Sequence, residues 1–244
     1  MGSTTYRDAL RQALADSMTA DSNVVLIGEE VGRYGGAYGV TKGLIDEFGS
    51  ERVIDTPISE PSIVGAAVGA AMSGLRPVAE LMYVDFIGMT MDQLANQAAK
   101  IRYMFGGQIG VPMILRTQGG TGRSAGAQHS QSLEAYVMHT PGLRLVMPAT
   151  VSDAYHLLRQ SLAQPDPVVF IEHKALYTTS GELDDQVPVA PWGKAHIARQ
   201  GNDLVIVTYS RQLHYAISAA EILAKDGIEA TIIDLRTLNP LDID

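Results

Sequence analysis

Cysteine is absent from this sequence of 244 residues. That excludes a disulfide framework, a thiolate nucleophile, iron–sulfur ligation and any cysteine-based zinc site. Basic residues are also scarce: 18 Lys and Arg stand against 27 Asp and Glu, a formal net charge of −9. A nucleic-acid binder needs a basic footprint, so no nucleic-acid partner is expected. No apolar run approaches the roughly 20 residues of a membrane span, so no membrane partner is expected. The N-terminus carries no basic, apolar or Arg/Ser-rich leader, and a cytoplasmic location is the expectation.

The hydrophobic fraction, 46 %, is enough for a real core. At about 150 residues per domain the length corresponds to roughly 1.6 domains. Short apolar runs alternate with helical patterns along the chain. The runs Asn23–Gly28, Arg52–Thr56, Pro77–Met82, Val111–Arg116, Leu143–Met147 and Pro167–Glu172 read as strands. Their near-continuous apolar character suits strands buried on both faces, which predicts a mostly parallel α/β sheet flanked by helices. Helices are expected from Tyr6 to about Met18 behind a Thr5 cap, over Thr41–Phe48, from Ser59 through Met72, from Met91 to about Tyr103, and from a Ser152 cap to Leu162. Turn residues cluster between His173 and Lys194. The expected organisation is a first domain over 1–175, a connector over 176–193 and the opening part of a second α/β domain over 194–244.

Several motifs invite chemistry. Gly122-Arg123-Ser124-Ala125-Gly126 matches G-x-S-x-G, the nucleophile elbow of serine hydrolases. That elbow needs its serine directly between a strand and a helix, and a glycine-rich loop stands here instead. Gly120-x-Gly122-x-x-Ala125 matches a dinucleotide fingerprint, but no acid follows at the required distance. The six histidines show no metal-ligand spacing. The helix after Ser59 is unusual in carrying almost no large side chain, and Gly65 and Gly69 allow a close backbone approach. Glu60 stands at its start, where a carboxylate either complements the helix dipole or faces a cleft. His129 lies in the polar, glycine-rich loop Thr117–Gln131, at the carboxyl end of an expected strand. Parallel α/β sheets bind ligands at that edge, which makes His129 a candidate acid or base.

These stretches, taken as a set, resemble a known family. Gly28-Glu29-Glu30-Val31, Asp55-Thr56-Pro57-Ile58-Ser59-Glu60, Gly74-Leu75-Arg76-Pro77, Asp85-Phe86 with Asp92-Gln93, Ala127-Gln128-His129-Ser130-Gln131 and Pro167-Val168-Val169 recur in the order and spacing of the β subunits of thiamine-diphosphate-dependent 2-oxoacid dehydrogenases. The pyruvate and acetoin branches are the nearest in pattern.

The resemblance implies a transketolase-like pyrimidine-binding domain followed by the first part of a transketolase C-terminal-like domain. It implies thiamine diphosphate as cofactor. Glu60 would hydrogen-bond the aminopyrimidine ring nitrogen, Phe86 would stack on the ring, and Ile58 would line the cofactor site. His129 would assist proton movements on substrate or acyl group. The cofactor itself would act as electron sink for decarboxylation. A structural potassium ion is implied at Met113, Ser161, Leu162, Gln164 and Asp166, largely through backbone carbonyls. The family's Gly-Asp-Gly and Asn motif for diphosphate and magnesium is absent from this sequence. In the family it lies on the α subunit, so a heterotetramer of two α and two β chains is implied. Docking on a dihydrolipoyl acyltransferase core would use the C-terminal domain, which breaks off here after Leu235–Leu241.

Overall fold

The structure is a computed structural model that describes residues 2–183 and 190–244. The chain begins with β1 (Ser3–Thr5) and α1 (Tyr6–Ala20), followed by β2 (Val24–Glu29), α2 (Leu44–Phe48), β3 (Val53–Thr56) and α3 (Glu60–Met72). Then come β4 (Arg76–Leu81), a 3-10 turn (Val84–Thr90), a π-helical segment (Asp92–Ala98) that runs into α4 (Ala99–Met104), β5 (Ile114–Gly119) and α5 (Glu134–Met138). β6 (Arg144–Val146), α6 (Val151–Leu162), β7 (Val168–His173) and β8 (Ser180–Glu182) follow. The remaining elements are β9 (His196–Arg199), β10 (Leu204–Thr208), α7 (Gln212–Ala224), β11 (Ala230–Asp234) and β12 (Thr237–Asn239).

The main sheet has seven strands in the order β12-β6-β7-β5-β4-β2-β3. All its pairings are parallel except that of β12 with β6. The expected parallel α/β sheet is therefore present. Alternate residues of each strand feed two separate cores. Val168 and Phe170 of β7 join the core under α1 and α6, whereas Val169 and Ile171 join the core under α3. Burial on both faces is why these strands carry continuous apolar runs.

Local signals explain the helix starts. Thr5 Oγ1 accepts from the Asp8 N–H at 3.1 Å and caps α1 as expected. The cap of α6 is Thr150, not Ser152: Thr150 Oγ1 accepts from the Asp153 N–H at 3.0 Å, and Ser152 lies inside the helix. α3 packs on β4 and on the 3-10 turn through Ile63, Val64, Ala67, Val68 and Ala71. Each Ile or Val so buried stabilises by about 1.5–3 kcal/mol.

The close approach expected at the glycines of α3 is not made by the described residues. A Cβ at Gly65 would meet Gln93 Cγ at an ordinary 3.5 Å, and one at Gly69 would meet nothing within 4 Å. The bulkier residues of α3 already face the sheet, and the glycines face outward.

A smaller sheet, β10-β11-β9, packs with α7 around Leu213, Ala216, Ala220, Ala230 and Ile232. The 194–244 segment is not sealed off from the first part, because β12 returns to the main sheet beside β6. The expected connector 176–193 falls partly on residues 184–189, outside the described residues. Among the described residues, no helix is long and apolar enough to cross a membrane.

Candidate active site at the carboxyl edge of the parallel sheet

Five parallel strands release their chains at one edge of the sheet, and the candidate residues stand just beyond them. β2 ends on Glu29. The segment after β3 carries Ile58 and leads into Glu60, the first residue of α3. β4 leads through Tyr83 into the turn that holds Phe86. β5 ends on Gly119, and its loop returns through the short 3-10 turn Ala127–His129. β7 ends on His173, with Lys174 next. Parallel α/β sheets place their ligand sites at this edge.

Phe86 and His129, predicted separately, are in ring contact. Their centroids are 5.5 Å apart at an interplanar angle of 90°. Tyr83 completes the cluster, 4.6 Å from the His129 ring and 6.2 Å from the Phe86 ring, both edge-on. Such edge-to-face contacts fix ring orientation as well as burying area.

Glu60 is half-buried at the start of α3, with Pro61 following it in the first turn. Its charge reaches Glu29: burial raises the Glu29 pKa first, and the Glu30 and Glu60 carboxylates raise it further. Carboxylates from two strands thus converge at this edge. Ile58 is 72 % exposed, with its apolar surface uncovered in this chain.

Beneath the edge lies a buried ion network. Arg116 on β5 makes a bidentate pair with Glu172 on β7, at 2.6 and 2.8 Å, and reaches Glu80 on β4 at 2.7 Å. The Tyr177 hydroxyl donates to Glu172 at 2.5 Å. Burial pushes Glu80 upward in pKa, and the Arg116 charge opposes it. His173 is pushed down to about 4, first by burial and then by the Arg211 and Lys174 charges, so its imidazole is neutral at pH 7. Its ring packs on Gly120, whose φ is +84° and where any Cβ would strike the imidazole. Tyr83, Glu29, His173 and Lys174 were not singled out by sequence reasoning, although Glu29 lies inside one of the matching stretches.

Ser124 has a left-handed φ of 52°, yet it is exposed and precedes the three-residue 3-10 turn rather than a helix. The strand before it runs to Gly119, three residues past the expected end. The loop still separates strand from serine, so the nucleophile elbow is not built.

The five residues expected at a potassium ion gather where α6 turns into β7, beside the start of β5. The Met113 carbonyl accepts from the Val168 N–H at 3.0 Å, and the Ser161 carbonyl from the Gln164 N–H at 3.1 Å. The Leu162 carbonyl accepts from Arg76 Nη1 at 2.6 Å. The Asp166 carboxylate pairs with Arg102 at 2.5 Å and Arg144 at 3.1 Å. A cavity of 940 Å³ lies on this side of the molecule, lined in part by Arg102, Arg144 and Asp166; it holds neither Glu60, Phe86 nor His129.

This parallel sheet, with a helix-start glutamate and an aromatic–histidine cluster beyond its carboxyl edge, has the fold of the transketolase-like class. The chain matches the transketolase pyrimidine-binding domain over residues 2–180 and the transketolase C-terminal domain over residues 193–244. It is 48 % identical to the β subunit of acetoin:2,6-dichlorophenolindophenol oxidoreductase from Cupriavidus necator, covering 97 % of this chain and 72 % of that protein. It is also 48 % identical to a mitochondrial pyruvate dehydrogenase E1 component subunit beta-2 from Oryza sativa, covering 98 % of this chain and 64 % of that one. The chain thus spans about two thirds of the length of these relatives. Its fold superposes on a split-gene transketolase, described as an inactive β4 tetramer, with a TM-score of 0.80 at 19 % identity, covering 99 % of this chain and 74 % of that chain. The chain belongs to the family of transketolase-like β subunits that includes the pyruvate dehydrogenase and acetoin oxidoreductase proteins.

Proposed function

We propose that this chain is the β subunit of the decarboxylating component of a 2-oxoacid dehydrogenase, dependent on thiamine diphosphate and acting with an α subunit. The observation that carries the reading is the placement of Glu60 and of the Phe86–His129 ring pair at the same carboxyl edge of the sheet. The donor set suits a flat, nitrogen-bearing pyrimidine: an aromatic side chain to stack on and a carboxyl to hydrogen-bond a ring nitrogen. Thiamine diphosphate, when bound, supplies an electron sink for loss of carbon dioxide from a 2-oxoacid. Glu60 holds a proton at the aminopyrimidine ring nitrogen. Phe86 would stack on the ring, and Ile58 would line its site from the β3–α3 segment. His129 moves a proton on the substrate oxygen or during acyl transfer to a lipoyl group.

The exposed flank of Ile58 and the missing diphosphate motif both support a site shared with an α subunit, which would hold the diphosphate and its magnesium. The family resemblance implies a heterotetramer of two α and two β chains, and docking on an acyltransferase core would fall to the C-terminal domain. The carbonyls of Met113, Ser161, Leu162, Gln164 and Asp166 would hold a potassium ion, with Leu162 shared between that ion and Arg76. Carbonyl oxygens suit such a hard cation. A melting temperature that rises in potassium but not in lithium tests that site.

The substrate reading is pyruvate. The likeness to the Cupriavidus necator protein favours acetoin as the second reading. Co-expression with an α subunit, followed by turnover of pyruvate, branched-chain 2-oxoacids and acetoin with thiamine diphosphate and magnesium, tests all of this. Turnover of none of them would overturn it.

A further inference from the structure

Lys174 follows the last residue of β7 and is fully buried. A buried ammonium group needs partners for its three N–H donors, because its desolvation is costly. One partner is the backbone carbonyl of His129, which accepts from Lys174 Nζ. Another is the face of Tyr83, whose ring centroid is 5.3 Å from Nζ. The same Tyr83 ring stands edge-on to the His129 imidazole.

A carboxylate also meets this loop. Asp85, next to Phe86, accepts from the Gln131 N–H at 3.0 Å, and its second oxygen is buried without a hydrogen-bond partner. The Gly120 N–H donates to the Gln131 carbonyl at 2.9 Å and closes the loop on itself. The His129 backbone is therefore bracketed by a cation on its own carbonyl and an anion on the N–H two residues later. Burial lowers the pKa of Lys174, and the Asp85 carboxylate opposes that effect.

We propose that Lys174 is a positioning residue for His129, its ammonium group holding the Ala127–His129 turn against Tyr83 so that the imidazole meets Phe86 at the cofactor edge. The inference rests on the reading of His129 as the proton-moving residue of a thiamine-dependent site. A lysine that merely ties β7 to the loop would stabilise the fold and leave the chemistry alone. A positioning lysine shares its effect with His129.

The test is a double-mutant cycle in the assembled α/β complex. Lys174→Met, His129→Ala and the double variant are compared for kcat, KM, thiamine diphosphate affinity and melting temperature. A misplacement of about 1 Å costs on the order of 100-fold in rate. Lys174→Met is expected to lose about that much in kcat, with KM and cofactor affinity within about twofold. The double variant is expected to be no slower than His129→Ala alone. Lys174→Arg, which keeps cation and donors, is expected to recover most of the loss. Lys174→Gln replaces methionine in the cycle where the methionine variant does not assemble. Parental kcat in the Lys174 variants, losses that multiply with that of His129→Ala, or no recovery with arginine would each overturn the proposal. A parental complex that neither binds thiamine diphosphate nor turns over any 2-oxoacid or acetoin would instead overturn the functional reading beneath it.

Discussion

The imidazole of His129 stands edge-on to the ring of Phe86, at 5.5 Å and 90°. These residues leave the sheet from different strands, β4 and β5, which are neighbours in it. Their contact brings a residue read as a cofactor platform to a residue read as a proton carrier. Stacking and proton transfer would thus be served by a single cluster of side chains. The carboxyl expected to hydrogen-bond the ring nitrogen comes from a third strand connection, the one between β3 and α3.

Glu60→Gln tests that carboxyl. Glutamine keeps size and hydrogen-bonding capacity and loses the ionisable carboxyl proton. In the α/β complex, kcat is expected to fall by about 100-fold or more, the range of a lost acid–base group. The melting temperature should hardly change, because Glu60 is only half-buried. Near-parental turnover would remove Glu60 from the mechanism.

The isolated chain makes a second, simpler forecast. With saturating thiamine diphosphate and magnesium it should release no carbon dioxide from pyruvate. Adding the α subunit should restore release in proportion to the complex formed. Steady decarboxylation by this chain alone would contradict a shared site.

The sheet was legible because strands buried on both faces leave continuous apolar runs, and Thr5 announced α1 by its capping chemistry. The loop of His129 was legible because the strand before it was. β12 was not: Thr237–Asn239 is too short to show a period, and only its pairing with β6 defines it. The segment Met91–Tyr103 read as one helix, whereas its first part, Asp92–Ala98, is π-helical. Lys174 and Tyr83 escaped for a different reason, and Asp85, though inside a matching stretch, carried no role of its own. They are brought together by loops closing over β4, β5 and β7, and no sequence spacing encodes that meeting. The glycines of α3 promised a close neighbour that the described part of this chain does not supply.

The buried network predicts a large stability effect. Arg116→Met leaves the Glu80 and Glu172 carboxyls in the core without their counter-charge. Breaking such a network by removing one partner costs about 3–5 kcal/mol. Urea denaturation should report a loss in that range. The triple variant Glu80→Gln/Arg116→Met/Glu172→Gln should be less damaged than Arg116→Met, because no buried charge is then unpaired. Equal damage in both would assign the loss to packing.

Asp234, at the end of β11, gives the pH prediction. Its carboxyl is almost fully buried and is pushed up to about 7, first by burial and then by the Asp153 charge. The Arg236 N–H, 3.2 Å from Asp234 Oδ1, and the Arg236 guanidinium work in the opposite direction. In the unfolded chain this carboxyl titrates near 3.8. Between pH 3.8 and 7 the unfolded chain has therefore released a proton that the folded chain keeps. By linkage, the contribution of Asp234 is fully present below the lower value and is lost as pH rises through the upper one. Asp234→Asn removes this titration and can still accept from the Arg236 N–H. Its stability relative to the parent should rise between pH 4 and pH 7 by on the order of 2–4 kcal/mol, at about 1.4 kcal/mol per unit of pKa, and then level off. Denaturation midpoints of both proteins across that range measure the difference. A difference that stays flat would mean that Asp234 is already ionised in the folded protein at neutral pH, held by Arg236.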